Sequence, residues 1–302
     1  MPIKHLHGNC LEVLRDVPAA SVQLIVTSPP YADARASTYG GTPPDEYVAW
    51  FLPIAAEMKR VLKPTGTFIL NIKEKVVDGE RHTYVMELVL ALRKQGWLWT
   101  EEWIWYKKNC VPGHWPNRFR DTWEHLYQFN LERKFDMHQK AVMVPMGDWA
   151  KTRIPRLSEK DRTRDPSASG SGFAKNVSNW AGRDKVYPTN VLDVELDEFA
   201  VMDPGTTVQL ATETGFQGHS AAFPVGLPEF FIKLFTREGE TVLDPFQGSG
   251  TSGVAATNLR RDYVGIDWLE ENIALAKARI ERECRPQGPS LMDLVESIEN
   301  SG

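Results

Sequence analysis

Short apolar runs alternate with amphipathic segments near both ends of the chain. Four runs have the length and the β-branched or apolar content of buried strands: 22–27, 67–72, 241–244 and 262–267. Three other segments repeat apolar residues at helical spacing: 45–62, 251–259 and 269–280. Strands that alternate with helices are typical of βαβ units and a largely parallel sheet. The pattern therefore predicts an α/β fold.

The middle of the chain has a different pattern. A helix is predicted over 81–95 and strands over 97–106 and 125–129, but clear periodicity is then lost until about residue 218. Long irregular stretches within a compact protein are usually functional or disordered. Order returns with a helix that begins near Pro228. The chain is accordingly divided into four parts: 1–130, 131–218, 219–285 and a tail at 286–302.

Composition narrows the class of protein. The chain has 302 residues, of which 42% are hydrophobic and 25% charged, as in a globular protein with a sizeable core. No apolar run approaches the roughly 20 residues of a membrane span, and the N-terminus lacks the apolar stretch of a signal peptide. We therefore expect a cytoplasmic protein without membrane contact. Three scattered cysteines without a CxxC pair predict neither a disulfide framework nor a metal site.

Charge is unevenly distributed along the chain. The formal net charge of -5 disfavours a nucleic-acid partner, because phosphate binding depends on Lys and Arg. Between Lys151 and Lys185, however, nine basic residues stand against four acidic ones, interleaved with aromatic, Gly and Ser residues. A local basic surface on an acidic protein is therefore predicted. Its candidate DNA-binding residues are Arg153, Arg156, Arg162 and Arg164.

A double proline ends the apolar run at 22–27. Because proline cannot continue a central strand, Thr27-Ser28-Pro29-Pro30-Tyr31 predicts a rigid turn at the carboxyl end of the strand. Ligands of open α/β sheets bind at that edge. The Ser28 hydroxyl and the Pro29 carbonyl can each accept a hydrogen bond from an exocyclic amino group, and the Tyr31 ring can stack on a base. An ordinary proline turn is the alternative interpretation of these residues alone.

A glycine-rich turn follows the strand at 241–244. The sequence DPFQGSG at 244–250 leads from that strand into a helix, and Gly248 and Gly250 let backbone approach a ligand without a Cβ. Asp267 ends the adjacent strand, where an acidic side chain can bind ribose hydroxyls. A dinucleotide-binding Rossmann enzyme is the natural competitor, since Gly253 fits the third small position of its fingerprint.

The two motifs together resemble a known family. TSPPY resembles the (Asp/Asn/Ser)-Pro-Pro-(Tyr/Phe/Trp) motif of amino-group DNA methyltransferases, and the Ser form resembles their cytosine-N4 branch. DPFQGSG resembles the S-adenosylmethionine loop of the same family. The catalytic half precedes the cofactor half, as in the permuted β group. The resemblance covers the N-terminal and C-terminal thirds, and the middle third only by position.

The resemblance implies a fold and a set of site residues. It implies a Rossmann-like S-adenosylmethionine-dependent methyltransferase fold, with a mixed seven-stranded sheet and a target-recognition region inserted at 131–218. The two halves of the methyltransferase domain would be 1–130 and 219–285. Catalytic residues would be Ser28, Pro29, Pro30 and Tyr31. Cofactor-binding residues would be Asn9, Asp244, Phe246, Gly248, Ser249, Gly250, Thr251 and Asp267.

The assignment of Asn9 to the cofactor site has an alternative that fits the sequence equally well. Family members commonly carry an acidic residue near Asn9 that accepts from the adenine amino group of the cofactor. Asn9 would have to accept through its amide oxygen. A turn asparagine after Gly8 is the competing interpretation.

The implied function is site-specific methylation of cytosine N4 in double-stranded DNA, with the target base flipped out of the helix. Adenine-N6 methylation has the same architecture, and the Ser in the TSPPY motif is the only feature against it. An RNA or small-molecule methyltransferase and a catalytically silent DNA-binding module are weaker alternatives. A homodimer and a cognate restriction endonuclease are partners that the sequence leaves open.

Overall fold

The computed structural model describes residues 2–33, 41–107, 116–147, 152, 156, 183–193 and 223–284. The chain divides into two compact units, one formed by 1–137 with 190–302 and the other by 138–189.

The strands of the larger unit are β1 (Ile3–His7), β2 (Val22–Thr27), β3 (Leu62–Ile72), β4 (Val76–Val77), β5 (Glu80–Arg81), β6 (Leu98–Tyr106), β7 (Trp123–Asn130), β10 (Val191–Leu192), β11 (Thr241–Asp244) and β12 (Asp262–Asp267). Its helices are α1 (Cys10–Val13), α2 (Pro44–Val61), α3 (Tyr84–Lys94), α4 (Gly226–Phe235), α5 (Thr251–Asn258) and α6 (Glu270–Glu283).

Among the described residues, the smaller unit has little regular structure. A short 3₁₀ helix at Gln139–Val142 precedes β8 (Val144–Pro145), which pairs antiparallel with β9 (Lys185–Val186). The 131–218 target-recognition region lies largely outside the described residues. Its assignment therefore stays a prediction.

A mixed sheet organises the larger unit. Its described strands have the order β1-β12-β11-β2-β3-β7-β6-β10. The five strands from β1 to β3 are parallel, whereas β7 runs antiparallel to both β3 and β6. Seven of the eight strands have four or more residues, and β10 adds a two-residue edge. The predicted mixed α/β sheet is confirmed, with this one additional short strand.

The start of β3 differs from the sequence prediction. We expected Lys63–Gly66 to form a turn between helix and strand, but β3 begins at Leu62, directly after α2. Val22 pairs with Leu62 and Leu24 with Thr67, so the intervening residues of β3 form an irregularity within the ladder. The buried Leu62 side chain holds this segment against the sheet.

Apolar side chains from helices and strands form one extensive core. Tyr47, Phe51 and Met58 of α2 pack in the same cluster as Leu88 of α3 and Phe68 of β3. All five side chains are fully buried. This packing fixes the helices around the edge where β2 and β3 end. In the part of the chain described by the structure, no helix has the length and apolarity that a membrane span requires.

Candidate active site

The carboxyl ends of the five parallel strands and the amino end of β7 surround a cavity of about 540 Å³. Ligand cavities in proteins typically have volumes of roughly 300–1,000 Å³. The walls include eleven of the twelve predicted catalytic and cofactor residues: Asn9, Ser28, Pro29, Pro30, Tyr31, Asp244, Phe246, Gly248, Ser249, Thr251 and Asp267. The sheet thus brings together two motifs that are more than 200 residues apart in sequence.

The proline turn presents one free backbone acceptor to the cavity. The Pro30 carbonyl accepts a 2.8 Å hydrogen bond from the Tyr47 hydroxyl of α2. No described residue donates a hydrogen bond to the Pro29 carbonyl, and Pro29 is one of the residues that line the cavity. Because Tyr47 is fully buried, its bond holds the turn against the core. Pro29 and Ser28 therefore keep a fixed position beside the cavity.

A network of five polar side chains lies next to this turn, and we call it the Glu124 cluster. Tyr31 donates to Glu124 Oε2 at 2.7 Å, and Ser28 Oγ lies 3.3 Å from the Tyr31 hydroxyl. Asn71 Nδ2 donates to Glu124 at 3.1 Å and to Tyr31 at 3.2 Å, with a longer contact of 3.4 Å to Ser28. Lys107 forms an ion pair with Glu124 Oε1. The cluster holds the Tyr31 ring by its hydroxyl group.

The Glu124 cluster leaves one buried acceptor without a partner. Asn71 Nδ2 lies within 3.4 Å of three acceptors and donates its two hydrogens toward them, which fixes the orientation of the amide. Its Oδ1 atom is buried and accepts no hydrogen bond from the described residues. An unsatisfied buried polar atom costs about 1–3 kcal/mol. Asn71 itself lines the cavity, so the orphaned oxygen lies in a residue of its wall.

Electrostatics keep the Tyr31 phenol protonated. Burial of the hydroxyl and the adjacent Glu124 charge raise the pKa of Tyr31 well above its ordinary value. The neutral phenol therefore remains a donor to Glu124. Lys107 neutralises the other side of this carboxylate, and its ammonium lies 4.3 Å above the Trp105 ring.

The glycine-rich turn packs against α6 as well as against the cavity. Gly248 and Gly250 have φ values of +50° and +79°, which favour glycine. A Cβ on Gly250 would lie 2.7 Å from the Ala276 Cβ of α6. Gly250 is also the predicted cofactor residue that does not line the cavity. Backbone conformation and helix packing therefore require glycine at this position, and the predicted contact of Gly250 with the cofactor stays a prediction.

The Asp244 carboxylate accepts hydrogen bonds from groups of the protein itself. Its carboxylate accepts from Thr27 Oγ1 at 2.6 Å, from Ser252 Oγ at 2.7 Å and from Phe246 N at 3.1 Å. Burial raises the pKa of Asp244 to about 6, although these three hydrogen bonds act in the opposite direction. Asp244 thus joins the glycine-rich turn, α5 and β2.

Asp267 lies at the end of β12 and has acceptor capacity to spare. It accepts 3.0 Å hydrogen bonds from Gly248 N, Leu269 N and Asn272 Nδ2. A carboxylate offers about four acceptor sites, so a ligand hydroxyl can still bind. Burial raises the pKa of Asp267. The position next to the glycine-rich turn suits an acceptor for ribose.

Asn9 has a structural role in the turn before α1, as the alternative to a cofactor contact predicts. Asn9 caps α1, because its side-chain oxygen accepts a 3.0 Å hydrogen bond from Leu11 N. The residue is exposed and also lines the cavity. Its predicted contact with the cofactor adenine stays a prediction.

The predicted DNA-binding arginines have little structural description. Arg153, Arg162 and Arg164 lie outside the described residues, as does the segment 34–40 beside the proline turn. Arg156 is described and exposed. Within the described ranges, no cluster of His, Cys, Asp or Glu has a metal-binding arrangement.

Sequence reasoning missed three residues of the Glu124 cluster. Asn71 is the one polar residue near the end of the apolar run at 67–72, which is a usable signal. Glu124 and Lys107 lie on β7 and directly after β6, and reach the cavity only because these strands form an antiparallel extension of the sheet. Nothing in their local sequence indicates that pairing.

Fold and cavity together define the class of protein. A glycine-rich turn follows a central parallel strand. An acidic residue ends the neighbouring strand on one side, and a proline turn follows the neighbouring strand on the other side. This arrangement defines an α/β methyltransferase.

The family follows from comparison with known proteins. Residues 22–278 match the family model N6_N4_Mtase, described as DNA methylase, and the chain therefore belongs to this family of DNA methyltransferases. The family depends on S-adenosyl-L-methionine as methyl donor. The prediction of an amino-group DNA methyltransferase is confirmed.

Individual relatives span most of the chain. The chain is 28% identical to the type II methyltransferase M.PvuII of Proteus hauseri over 281 residues, which cover 90% of this chain and 82% of M.PvuII. It is 27% identical to M.XycI of Xanthomonas campestris pv. cyanopsidis, with coverage of 91% and 86%.

Solved structures agree with this assignment. The PvuII DNA methyltransferase, described as cytosine-N4-specific, superposes with a TM-score of 0.69 at 25% identity, covering 92% of this chain and 86% of that one. TTHA0409 of Thermus thermophilus, a putative DNA modification methylase solved with S-adenosyl-L-methionine, gives a TM-score of 0.57 at 20% identity. Coverage is 95% of this chain and 96% of TTHA0409, and this likeness concerns the fold.

Proposed function

We propose that this DNA methyltransferase transfers a methyl group from S-adenosyl-L-methionine to the N4 amino group of cytosine in double-stranded DNA. The observation that carries the proposal is that Ser28 and Pro29 line the same cavity as the glycine-rich turn. The cytosine-N4 specificity of the related PvuII enzyme supports the choice of base.

The cofactor fits the part of the cavity around the glycine-rich turn. Asp267 would accept from ribose hydroxyls with its remaining capacity, and Gly248 and Ser249 would approach the ligand with their backbones. Phe246 and Trp268 supply aromatic surface in the same wall. S-adenosyl-L-methionine would supply an electrophilic methyl group on a sulfonium at this position.

The proline turn would make the target nitrogen reactive. The lone pair of a cytosine amino group is delocalised into the ring, so the nitrogen is a poor nucleophile. The Ser28 hydroxyl and the Pro29 carbonyl would each accept one amino hydrogen and favour a more tetrahedral nitrogen. Direct transfer then requires the nitrogen to be held in line with the methyl group. The fixed turn provides this position.

The Glu124 cluster would orient the flipped base. The amino group takes part in base pairing, so the cytosine must leave the duplex before it can enter the cavity. Tyr31 is anchored through Glu124, and its ring would offer a fixed stacking surface.

Adenine N6 is the second candidate target, and one observation favours it. The cavity wall contains a carboxylate, Glu124, although the motif position itself carries Ser28. Lys107 neutralises Glu124 by an ion pair, however, and Tyr31 and Asn71 occupy its other oxygen. Glu124 is therefore a poorer acceptor for an adenine amino group than a free carboxylate.

The remaining assignments extend the same proposal. The region 131–218 would recognise the target sequence, with Arg153, Arg156, Arg162 and Arg164 on DNA phosphates. The catalytic and cofactor halves would be 1–130 and 219–285, followed by the tail at 286–302. We place the protein in the cytoplasm. Its type II relatives support a cognate restriction endonuclease, and a homodimer is a further candidate assembly.

Nucleoside mass spectrometry tests the proposal. DNA containing varied sequences would be incubated with the protein and isotopically labelled S-adenosyl-L-methionine, digested and separated. Labelled N4-methylcytosine is the expected product. Labelled N6-methyladenine would select the second candidate, and the absence of label from DNA would remove DNA as the substrate. Asp262→Asn, at the far end of β12 from the cavity, serves as a control variant that should retain the wild-type product.

A further inference from the structure

One large apolar side chain near the cavity stands almost completely in solvent. Phe119 is 94% exposed, which is the largest exposure among the described large hydrophobic residues. It lies in the turn before β7 and is flanked by Arg118 and Arg120. An exposed aromatic residue between two guanidinium groups matches a surface with both apolar and anionic parts.

Phe119 lies five residues before Glu124, a residue of the cavity wall. Thr122 accepts a 2.6 Å backbone hydrogen bond from Lys107, which lines the cavity. Phe119 is three positions before Thr122, so the Cα atoms of the two residues lie within about 11 Å of each other, given a reach of about 3.6 Å per residue. Two residues further on, Glu124 forms part of the cavity wall.

The base of this turn is fixed to neighbouring strands. Asp121 accepts a 2.6 Å hydrogen bond from Arg81 of β5 and lies 3.7 Å from Lys73 Nζ. Arg118 Nη1 lies 3.5 Å from the same carboxylate. Phe119 therefore lies on a segment of backbone that is held in place by its neighbours. The backbone of this segment loses little entropy when the Phe119 side chain inserts into a binding partner.

We propose that Phe119 enters duplex DNA and stacks in the space left by the target base when that base moves into the cavity. Arg118 and Arg120 would contact the phosphates on either side. This inference rests on the proposed function, because a gap arises only if the base is flipped. Apolar side chains that enter between base steps partly unstack DNA, and base–aromatic stacking compensates for the lost base contacts.

Two DNA duplexes test the role of Phe119. One has the target cytosine paired with guanine, and the other has it opposite an abasic site, where extrusion needs less energy. Phe119→Ala should lower kcat/KM on the paired duplex by about ten- to hundredfold, the loss of one base–aromatic stack. On the abasic-site duplex the loss should shrink to less than about threefold. Phe119→Trp should retain activity on both.

Leu90→Ala is the matched control, because Leu90 is also an exposed apolar residue, at 53%, but lies on α3. Both Ala variants should unfold at the wild-type denaturant concentration. Wild-type activity of Phe119→Ala on the paired duplex, or an equal loss on both duplexes, would overturn the role of Phe119 in extrusion. A wild-type protein that leaves both duplexes unmethylated would overturn the proposed function instead.

Discussion

The Thr27 hydroxyl donates a 2.6 Å hydrogen bond to the Asp244 carboxylate. Thr27 is the last residue of β2 and Asp244 the last residue of β11, and these strands are parallel neighbours. The next residues along the two strands begin the proline turn and the glycine-rich turn. Together with the β2–β11 ladder, this bond therefore joins the start of the proline turn to the start of the glycine-rich turn.

Thr27→Val should weaken both stability and cofactor binding. The substitution keeps the shape but removes a fully buried donor, so Asp244 loses one of its three hydrogen bonds. The expected loss is about 1–3 kcal/mol in the free energy of unfolding, measured by urea titration. Thr27→Ser keeps the donor and should lose much less. An equal loss for the two variants would assign the effect to packing.

Ser28→Ala should reduce the rate of methyl transfer while leaving ligand binding intact. The variant lacks one proposed acceptor for the amino hydrogens but keeps the Pro29 carbonyl and the Tyr31 anchor. We expect kcat to fall by about 10²- to 10³-fold, the typical effect of one lost preorganised hydrogen bond. Single-turnover kinetics with measured dissociation constants for DNA and cofactor separate the two effects. A fall confined to DNA affinity would contradict the activating role.

Tyr31→Ala and Tyr31→Phe should separate stacking from anchoring. The Ala variant loses the ring and about 1–3 kcal/mol of base stacking. The Phe variant keeps the ring but loses the hydrogen bond to Glu124. We expect DNA affinity to fall strongly only for the Ala variant, measured by fluorescence anisotropy. Equal affinities of the two variants would show that the ring does not contact DNA.

Asp267→Asn should weaken S-adenosyl-L-methionine binding. Each hydrogen bond from a ribose hydroxyl to the charged carboxylate contributes about 1.5–3 kcal/mol, and the amide keeps the shape without the charge. Calorimetric titration measures the difference. Asp262→Asn changes the acidic residue at the opposite end of β12 and should bind as the wild type does. Unchanged affinity in Asp267→Asn would remove Asp267 from the cofactor site.

His125 should make stability depend on pH. It lies 2.7 Å from Glu74 and 2.6 Å from Glu102. Burial lowers the pKa of His125, but its hydrogen bonds and charge interactions with the two carboxylates outweigh burial and raise it. Because the folded pKa is raised, this stabilisation is complete below the ordinary value of about 6.5 and is lost as pH rises through the folded pKa. Wild type and His125→Gln should therefore converge in unfolding free energy above neutral pH. A constant difference would contradict the linkage.

Replacing Arg153, Arg156, Arg162 and Arg164 together with Gln should weaken DNA binding and flatten its salt dependence. Each lost phosphate contact lowers the slope of log K against log salt by about 0.9. Cofactor affinity should stay unchanged. An unaltered salt slope would show that this basic segment does not contact phosphates.

Local signals in the sequence were sufficient to predict the positions of most helices and strands and of the two main motifs. The proline turn and DPFQGSG each combine a strand end with residues of special backbone geometry, so their positions could be predicted from short-range rules. Helices α2, α3 and α5 begin or end within three residues of the predicted bounds. The predicted turn at Lys63–Gly66 lies within β3, between the two points at which β3 pairs with β2, Leu62 and Thr67.

The Glu124 cluster could not be predicted, for a physical reason. Its members come from β2, β3, β6 and β7 and meet only through the antiparallel pairing of β7 with β3 and β6. Sequence periodicity indicates which face of a strand is buried, but not which strand lies beside it. The same limit concealed the internal role of Asp244, since Thr27 is 217 residues away in sequence.

The pairing of β1 with β12 has a consequence for biosynthesis. Ile3 pairs with Tyr263 and His7 with Asp267, so β1 can form this ladder only after β12 has been synthesised. Sheets with such non-local pairing have high contact order and fold slowly. The five residues of β1 must therefore remain accessible until β12 has left the ribosome. A bulky fusion placed directly before Ile3 should delay folding of the nascent chain more than one placed after residue 302.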